Sequence, residues 1–461
     1  MITVALLFLV SEGIRQSGTL GQVIKKLLPQ GKTTVFKAQL RILPSVAFIS
    51  AFLNNTPVVV IFAPIIKHWA KSVKLPATKF LIPLSYVTIL GGICTLIGTS
   101  TNLVVHGMIL EAGYEGFTMF ELGKVGIFIA IAGIIYLFIF SKRLLPDARP
   151  DTAVPDEEVE EGEKLHRVEA VLGARFPGIN KKLSDFNFQR HYGAEVKEIK
   201  TRNGQRYVDH LEDVVLREGD TLVVMADDTF IPTWGESSVF VLLTNGNEPD
   251  TTGKKKRWFA LLLLVLMIVG ATVGELPITK EMFPDIKLDM FFFVSITTII
   301  MAWTNLFPAR KYTKYISWDI LITIACAFAI SKAMVNSGVA DSVAKFIIGL
   351  SDDYGPHVLL AMVFIITNLF TELITNNAAA ALAFPLALSI SAQLGVSPTP
   401  FFVVICMAAS ASFSTPIGYQ TNLIVQGIGN YKFTDFVRIG LPLNIITFLI
   451  SIILIPLIWN F

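Results

Sequence analysis

Charged residues are scarce in this chain. Only 16% of its 461 residues are charged and 53% are hydrophobic, with a mean hydropathy of +0.61. Soluble domains carry roughly 25% charged residues, so the composition excludes an ordinary soluble protein and predicts a polytopic membrane protein surrounded by lipid. The net charge of +2 gives no reason to expect nucleic acid or any strongly charged partner.

Cysteine is also rare. Cys94, Cys326 and Cys406 are scattered through apolar segments, which argues against a disulfide framework and against a transition-metal site and predicts core positions. The chain has no Gly-x-Gly-x-x-Gly motif and no Walker lysine, so nucleotide-driven transport is unsupported. We expect neither an enzyme nor a cofactor.

The first ten residues are apolar but lack the basic flank and the small-residue cleavage site of a signal peptide. They predict the remnant of a spanning helix. Further apolar runs, separated by charge, cover residues 42–66, 80–110, 124–140, 258–274, 290–307, 318–335, 357–394, 400–428 and 440–459.

Polar residues interrupt several of these runs. The run 42–66 contains Asn54-Asn55-Thr56-Pro57, and the run 80–110 contains Gly98-Thr-Ser-Thr-Asn102. Some runs are also too long for one plain helix of about 20 residues. Glycine, proline and polar side chains at membrane depth predict broken helices around a buried cavity.

The composition changes completely between the two apolar halves. An acidic stretch over 151–163 precedes strand-like alternation at 193–200 and 219–225. We therefore expect a small soluble α/β domain inserted into an otherwise all-α membrane protein. The predicted units are a first transmembrane repeat (1–143), an acidic linker (144–164), the inserted domain (165–230), a second linker (231–257) and a second transmembrane repeat (258–461).

Loop charges predict the orientation. Basic residues are concentrated in 15–41 and 67–79 and on both flanks of the insert, whereas 111–121 and 275–289 are mainly acidic. By the positive-inside rule the basic segments are cytoplasmic. Both flanks of the run 42–66 then lie on the same side, which predicts a re-entrant hairpin with Asn54 and Asn55 at its tip. Counting spans forward predicts that the run 357–394 is a second hairpin, entering from the outside.

Opposed hairpins are typical of an inverted repeat, and the sequence repeats itself. Ser11–Gly18 matches Ser331–Gly338 at an offset of 320 residues, and Gly98–Gly107 matches Gly418–Gly427 at the same offset. The pair Asn54-Asn55 matches Asn376-Asn377 at an offset of 322. The two spans that precede the second repeat have no counterpart before Met1. We therefore expect the first repeat to be incomplete at its N-terminus.

Duplicated amides at membrane depth indicate a binding site, because an unpaired amide in apolar surroundings is costly. The alternative is that they are amides that join packed helices. Both interpretations are open at the level of residues alone.

The two hairpin motifs and the two Gly-x-x-Thr-Asn breaks resemble the divalent anion/sodium symporter family of the ion transporter superfamily. The segments around Val196-Lys-Glu-Ile and Glu218-Gly-Asp-Thr-Leu-Val-Val resemble the TrkA-C domain, the C-terminal domain of potassium-conductance regulators. The combination is similar to a bacterial and algal branch described as sulfate permeases. The family's hairpin signature is Ser-Asn-Thr, whereas this chain has Asn54-Asn55-Thr56 and Asn376-Asn377-Ala378.

The resemblance implies two sodium sites and one anion site. The residues it places on sodium are Ser50, Asn54, Asn55 and Gly98 in the first repeat and Glu372, Asn376, Asn377 and Gly418 in the second. Those it places around the anion are Asn55, Thr56, Thr101, Asn102, Asn377, Thr421 and Asn422. No arginine lies within these motifs, so helix N-termini and bound sodium would compensate the anion's charge.

Glu372 aligns with Ser50 at the 322-residue offset. A carboxylate at membrane depth is a functional candidate by default. It could strengthen a cation site, carry a proton, or accept a hydrogen bond from the backbone of the hairpin.

The predicted function is sodium-coupled symport of a small inorganic or carboxylate dianion, sulfate first. The resemblance further implies a homodimer in the plasma (inner) membrane, with the insert in the cytoplasm and open to a small regulatory ligand. One alternative is a proton-coupled or exchange carrier for dicarboxylate or arsenite. The other, suggested by the insert alone, is a regulator-gated cation channel, although the sequence has no carbonyl filter such as Thr-Val-Gly-Tyr-Gly.

Overall fold

The computed structural model describes residues 2–147, 166–173, 175–201, 205–227, 230, 234, 239–244, 254–274, 276–282, 288–308, 310, 312–350 and 355–461. The acidic stretch 151–163 lies outside these residues, as does most of the predicted linker 231–257. Helices make up most of the described chain, and a small sheet lies between two helical halves in sequence.

Seven helices form the first half. They are α1 (Ile2–Gln16), α2 (Thr19–Leu27), α3 (Val35–Ser50), α4 (Asn55–Ser72), α5 (Thr78–Gly92), α6 (Ser100–Glu111) and α7 (Gly123–Leu144). The apolar run 42–66 is divided between α3 and α4, and the run 80–110 between α5 and α6. Both runs are therefore broken at their polar residues.

The sheet is five-stranded and antiparallel, in the order β3-β2-β4-β1-β5. Its elements are β1 (His166–Leu172), α8 (Phe188–Tyr192), β2 (Glu195–Lys200), β3 (Arg206–Tyr207), β4 (Thr221–Ala226) and β5 (Phe240–Thr244). The strands predicted at 193–200 and 219–225 are present as β2 and β4. The sheet has an aromatic core of its own, which includes Phe176, Phe188, Tyr192 and Phe240.

Eleven helices are described in the second half. They are α9 (Lys254–Gly274), α10 (Pro277–Met282), α11 (Met290–Trp303), α12 (Tyr312–Tyr315), α13 (Trp318–Asn336), α14 (Val339–Leu350), α15 (Gly355–Leu373), α16 (Asn376–Leu394), α17 (Thr399–Ser410), α18 (Gln420–Gly429) and α19 (Phe433–Ile458). The apolar run 357–394 is divided between α15 and α16, and the run 400–428 between α17 and α18.

Several helices are long and apolar enough to cross a membrane. Among the described residues there are five by length and composition, or six if α13 and α14, bent by 72° at their junction, count as one span. Their outward faces carry exposed apolar side chains such as Ile131, Ile135 and Leu449. A band of this kind is stable only against lipid, so the chain is an integral membrane protein.

The centre of the helical region combines elements of both halves. Helix α5 is buried along its whole length and lies between α3, α4 and α7 of its own half and α18 of the other. Gly91 permits this packing, since a Cβ there would lie 2.1 Å from the carbonyl oxygen of Ala47 on α3. Close backbone approach of this kind is typical of membrane helices, and it holds α5 beside the broken segments of both halves.

Candidate functional site

The first buried amide belongs to Asn55, which begins α4 directly after the break that follows α3. Its side chain is fully buried. The Ser50 hydroxyl donates to Asn55 Oδ1 over 2.8 Å, and Asn55 Nδ2 donates to the hydroxyl of Tyr419 in the other half. Asn54 is the N-cap of α4 without a side-chain capping bond, and it borders a cavity of about 30 Å³ together with Ser100.

The second buried amide belongs to Asn376, which begins α16. The Thr371 hydroxyl lies 2.9 Å from Asn376 Oδ1 and 2.6 Å from the carbonyl oxygen of Ala409. The Thr375 side chain caps α16 by accepting from the Ala378 N–H. The Asn376 side chain also interacts with the Tyr419 hydroxyl.

These contacts shift the correspondence between the two hairpins by one residue. In each hairpin a hydroxyl residue bonds the amide five positions later, Ser50 to Asn55 and Thr371 to Asn376. The matching offset is therefore 321 residues, and Thr371, rather than Glu372, corresponds to Ser50. The alignment of Glu372 with Ser50 was wrong because the adjacent asparagines in each motif allow two registers, and only the hydrogen bonds separate them.

The breaks after α5 and α17 repeat the same pattern. The Thr95 hydroxyl donates to the carbonyl oxygen of Ala51, and the Thr415 hydroxyl donates to that of Glu372 over 3.0 Å. Each hydroxyl also accepts the N–H of the glycine three residues later, Gly98 or Gly418. The site therefore has two halves built in the same way.

Gly98 and Gly418 leave room for neighbouring backbone carbonyl groups. A Cβ at Gly98 would lie 2.5 Å from the carbonyl oxygen of Gly92, and one at Gly418 would lie 2.2 Å from that of Thr371. Because real Cβ atoms do not approach oxygen so closely, glycine is required for the carbonyl groups to converge at these points. Carbonyl oxygens freed at a helix break are suitable ligands for sodium.

Asn102 and Asn422 brace the two breaks. Asn102 Nδ2 donates to the carbonyl oxygen of Thr95 over 2.9 Å, and Asn422 Nδ2 donates to those of Ser412 and Thr415. Asn422 Oδ1 accepts from Ser85 over 2.7 Å, and Thr421 contacts the same serine hydroxyl at 2.9 Å. Both amides are fully buried, so they fix the backbone of the breaks.

The tip of each hairpin contacts the break of the other half. Thr56 lies 3.3 Å from Gln420 Oε1, while Asn377 Oδ1 accepts from Ser100 and Thr101 at 3.3 and 3.2 Å. The N-termini of four helices, α4, α6, α16 and α18, therefore meet in one place. Each N-terminus carries about half a positive charge, so their meeting point favours an anion.

Tyr419 lies at the centre of this arrangement. Its hydroxyl contacts both hairpin amides, Asn55 and Asn376, and lies 3.0 Å from the hydroxyl of Thr99. Thr99 and Tyr419 are themselves equivalent at the offset of 320. The phenol oxygen thus accepts a hydrogen bond from Asn55 Nδ2 and interacts with the Asn376 side chain, so it occupies the place where an oxyanion would meet the two amides.

Glu372 is placed away from the paired amides. Its Oε1 accepts from the Ser414 N–H over 2.8 Å and from Asn444 Nδ2 over 2.7 Å. The donating backbone belongs to the break after α17 and not to the run 357–394, so this hydrogen bond differs from the one expected with the backbone of the hairpin.

Sequence reasoning missed Thr371, Tyr419, Ser85 and Asn444. Only Thr371 had a usable signal, the spacing of five residues between a hydroxyl residue and an asparagine in both hairpins. Tyr419 differs in type from its equivalent Thr99, and Asn444 lies on α19, outside every motif. Contacts between residues so distant in sequence are visible only in the folded chain.

The sheet contacts the helices that carry the site. Lys67 on α4 is 3.0 Å from Glu169 of β1, and Val171 of β1 belongs to the core of the helical region. A Cβ at Gly427 on α18 would lie 2.4 Å from Thr221 Oγ1 of β4. The helix that begins at Asn55 and the helix that follows Tyr419 are therefore both held at their far ends by the sheet.

Glu169 is the charged centre of this contact. Burial alone would raise the pKa of its carboxyl group, but Lys67 and Lys200 lower that pKa to about 2. A lowered folded-state pKa means that the stabilisation is fully present above the unfolded pKa of about 4.5 and is lost as the pH falls through about 2. Physiological pH therefore leaves the ion pair intact.

Comparison with known proteins assigns the chain to a family. A family model described as CitMHS, citrate transporter, matches residues 1–395 and again residues 286–460. The chain belongs to the citrate transporter family. It is therefore a membrane transporter and not an enzyme.

Individual relatives of this citrate transporter family member extend the comparison. An uncharacterised transporter of Synechocystis is 29% identical over 100% of this chain and 89% of its own length. A protein of Chlamydomonas reinhardtii named as a putative sulfur deprivation response regulator is 28% identical over 98% and 92%. A probable sodium/sulfate cotransporter of the same alga is 33% identical over 61% of this chain and 31% of its own length. Such relatives are consistent with secondary transport of an anion.

Proposed function

We propose that this protein is a sodium-coupled symporter of a small divalent anion, with sulfate as the first candidate. The observation that carries the proposal is the meeting of four helix N-termini around two buried hydroxyl–amide pairs. The N-termini attract an anion, and the broken backbone offers carbonyl oxygens to cations. Two relatives named as sodium/sulfate cotransporters in Chlamydomonas reinhardtii support sulfate and sodium.

The two sodium sites follow the structural equivalence. The first combines Ser50, Asn55 and the backbone at Gly98, and the second combines Thr371, Asn376 and the backbone at Gly418. Asn54 and Thr375 occupy equivalent N-cap positions, but only Thr375 makes a side-chain capping bond, so Asn54 is left outside the first sodium site.

The anion lies between the exposed parts of the two tips, at Thr56 and Asn377, beside Ser100 and Thr101. Asn102, Thr421 and Asn422 position these groups from the buried side. A dianion here is stable only together with cations, because no arginine or lysine contacts the described residues of the tips. That mutual dependence couples the two fluxes.

Three further features belong to the proposal. The segment 165–230 is a TrkA-C-like domain on the cytoplasmic side of the plasma membrane, where it takes a small regulatory ligand. The two broken runs are re-entrant hairpins of an inverted repeat. The functional unit is a homodimer.

Uptake of labelled sulfate into proteoliposomes tests the function. We expect uptake with an inward sodium gradient and none with potassium or with a pH gradient alone. Asn55→Ala and Asn376→Ala should each reduce uptake at least tenfold, because each removes a cation ligand and a donor. Gln393→Ala serves as the control, since this exposed side chain donates hydrogen bonds to Asp341 and Ser389, away from the paired amides.

The family name favours a second candidate, a carrier of citrate or a dicarboxylate coupled to protons. Its support is the family model that covers most of the chain. The same liposomes distinguish the two: citrate or succinate uptake driven by a pH gradient, with no response to sodium, would replace the sodium/sulfate assignment.

A further inference from the structure

Glu372, which is half-buried, and Asn444 form a polar group that the two sites at the hydroxyl–amide pairs do not use. Glu372 lies at the C-terminal end of α15, and Asn444 lies on α19. Asn444 is only 6% exposed. Its Nδ2 donates to Glu372 Oε1 over 2.7 Å and to Ser414 Oγ over 2.9 Å.

Two oxygen atoms of this group lack a donor. Glu372 Oε2 and Asn444 Oδ1 are both buried, and neither has a hydrogen-bond partner among the described residues. Rotating the Asn444 amide does not repair this, because it would place Oδ1 against the carboxylate and turn the only donor away from it. The group therefore has a surplus of acceptors.

The charge of Glu372 is also uncompensated. Within the described part of the chain no lysine, arginine or histidine forms an ion pair with it, and its position at a helix C-terminus places it among partial negative charges. The titratable side chain facing it from α5 is Tyr86, whose hydroxyl donates to the carbonyl oxygen of Phe413. A carboxylate with one oxygen buried and without a donor in these surroundings favours a bound cation.

We propose that Glu372 Oε2, Asn444 Oδ1 and Ser414 Oγ bind a third sodium ion, separate from the two sites at the hydroxyl–amide pairs. Oxygen ligands of this kind, one of them charged, suit a small hard cation. The inference rests on the proposed function, because it assigns one more coupling ion to the same transport cycle.

The consequence is a defined stoichiometry. Two sodium ions at the hairpin sites balance a divalent anion, and the third balances Glu372. The cycle then moves three positive charges with each dianion and is electrogenic. Glu372→Gln removes the need for the third ion and should make transport electroneutral.

The test is sulfate uptake into potassium-loaded proteoliposomes with sodium varied outside and the membrane potential set by a potassium ionophore. In the unmodified protein, a potential negative inside should accelerate uptake, and the sodium dependence should have a Hill coefficient above two. In Glu372→Gln the response to potential should vanish and the Hill coefficient should fall. Glu121→Gln, a carboxylate change outside the site, should leave both unchanged.

Asn444→Ala provides a second variant that keeps the carboxylate. It should raise the sodium concentration for half-maximal uptake about tenfold while the response to potential persists, since one neutral ligand is lost and the fixed charge remains. Sodium-induced thermal stabilisation of the detergent-solubilised variant should fall in parallel, which gives a readout independent of transport.

Three results would overturn the inference. One is an unchanged voltage response in Glu372→Gln. Another is that a proton gradient drives the Glu372-dependent current while the Hill coefficient for sodium is the same in the unmodified protein and in Glu372→Gln. The cation at Glu372 would then be a proton. The third is a sodium affinity unaffected by Asn444→Ala. A complete lack of sodium-dependent sulfate uptake by the unmodified protein would instead contradict the proposed function.

Discussion

At the scale of single residues, Tyr419 connects the buried amides of the two halves. Its hydroxyl accepts from Asn55 Nδ2 and interacts with the side chain of Asn376, one amide from each half of the molecule. An anion that enters must offer these donors an equivalent oxygen. Tyr419 therefore competes with the anion for the same two amides, and its loss should affect the empty site most.

We predict that Tyr419→Phe lowers the thermal stability of the ligand-free protein but increases the stabilisation produced by sulfate in the presence of sodium. A donor left without a partner costs about 1–3 kcal/mol, and the bound anion would recover that cost. The measurement is the melting temperature of the detergent-solubilised protein with and without sulfate.

Tyr136→Phe is the matched control for this change. It also removes a buried tyrosine hydroxyl, one that donates to the carbonyl oxygen of Ile439 over 3.0 Å, but at a distance from the tips. It should lower stability without altering the sulfate-induced shift. An equal or smaller shift in Tyr419→Phe than in the unmodified protein would show that the hydroxyl does not compete with sulfate.

The residue scale also shows the limit of sequence reasoning. It could be predicted that Asn55 and Asn376 have hydrogen-bond partners, because a polar pair within an apolar run needs one; their role in binding stays a prediction. The register of the second hairpin could not, since Asn376 and Asn377 both fit the pattern and only the bond from Thr371 identifies the buried one. Glu372 was consequently aligned with Ser50, although the neighbouring Thr371 is the residue that corresponds to it.

At the scale of elements, the sequence predicted the breaks well. Interruptions expected within the runs 42–66, 80–110, 357–394 and 400–428 all occur, because glycine, proline and polar residues lower the stability of a continuous helix. Whether α3–α4 and α15–α16 return to the side they came from stays a prediction. Helices α15 and α16 are each long enough to span by themselves.

Thiol labelling decides between a hairpin and two spans. After Cys94, Cys326 and Cys406 are replaced by serine, single cysteines are introduced at exposed positions that flank each pair of helices. These are Lys32 and Lys71 for α3–α4, and His357 and Ala392 for α15–α16. We predict that an impermeant maleimide labels the first two from the cytoplasmic side only and the last two from the outside only.

The reason is the charge of the flanks, which is basic around α3–α4 and sparse around α15–α16. The control is the same labelling after the membrane is permeabilised, when all four positions should react. Reaction of Lys32→Cys and Lys71→Cys from opposite sides would exclude the first hairpin, and the corresponding result at His357→Cys and Ala392→Cys would exclude the second.

At the scale of the whole molecule, the sheet and the transport site are mechanically connected. The sheet contacts α4 through Lys67 and Glu169, and it contacts α18 through Thr221 and Gly427. The sequence predicted a separate soluble unit, and the sheet does have its own core, but its docking depends on contacts between segments distant in sequence. A ligand that displaces the sheet would therefore release the far ends of two helices that carry the site.

We predict that a disulfide forms between Thr221→Cys and Gly427→Cys under mild oxidation. A Cβ at 427 would lie 2.4 Å from Thr221 Oγ1, which puts the two β-carbons within reach of a disulfide once the threonine is replaced. Mass spectrometry of the digested protein measures the yield, with the native cysteines changed to serine. A sheet that moves during transport would also make sulfate uptake lower in the crosslinked protein than in the same protein after reduction.

Removing the charge of Glu169 should lower this yield, because Lys67 and Lys200 would then face a neutral group in a largely buried contact. A lost partner there costs about 1–3 kcal/mol, so Glu169→Gln should undock the sheet in an appreciable fraction of molecules. Asp213→Asn is the matched control, since it breaks an exposed ion pair with Lys182 in the same sheet region, where such pairs contribute little. Equal yields in the two variants would show that apolar contacts such as Val171, and not the ion pair, hold the sheet on the helices.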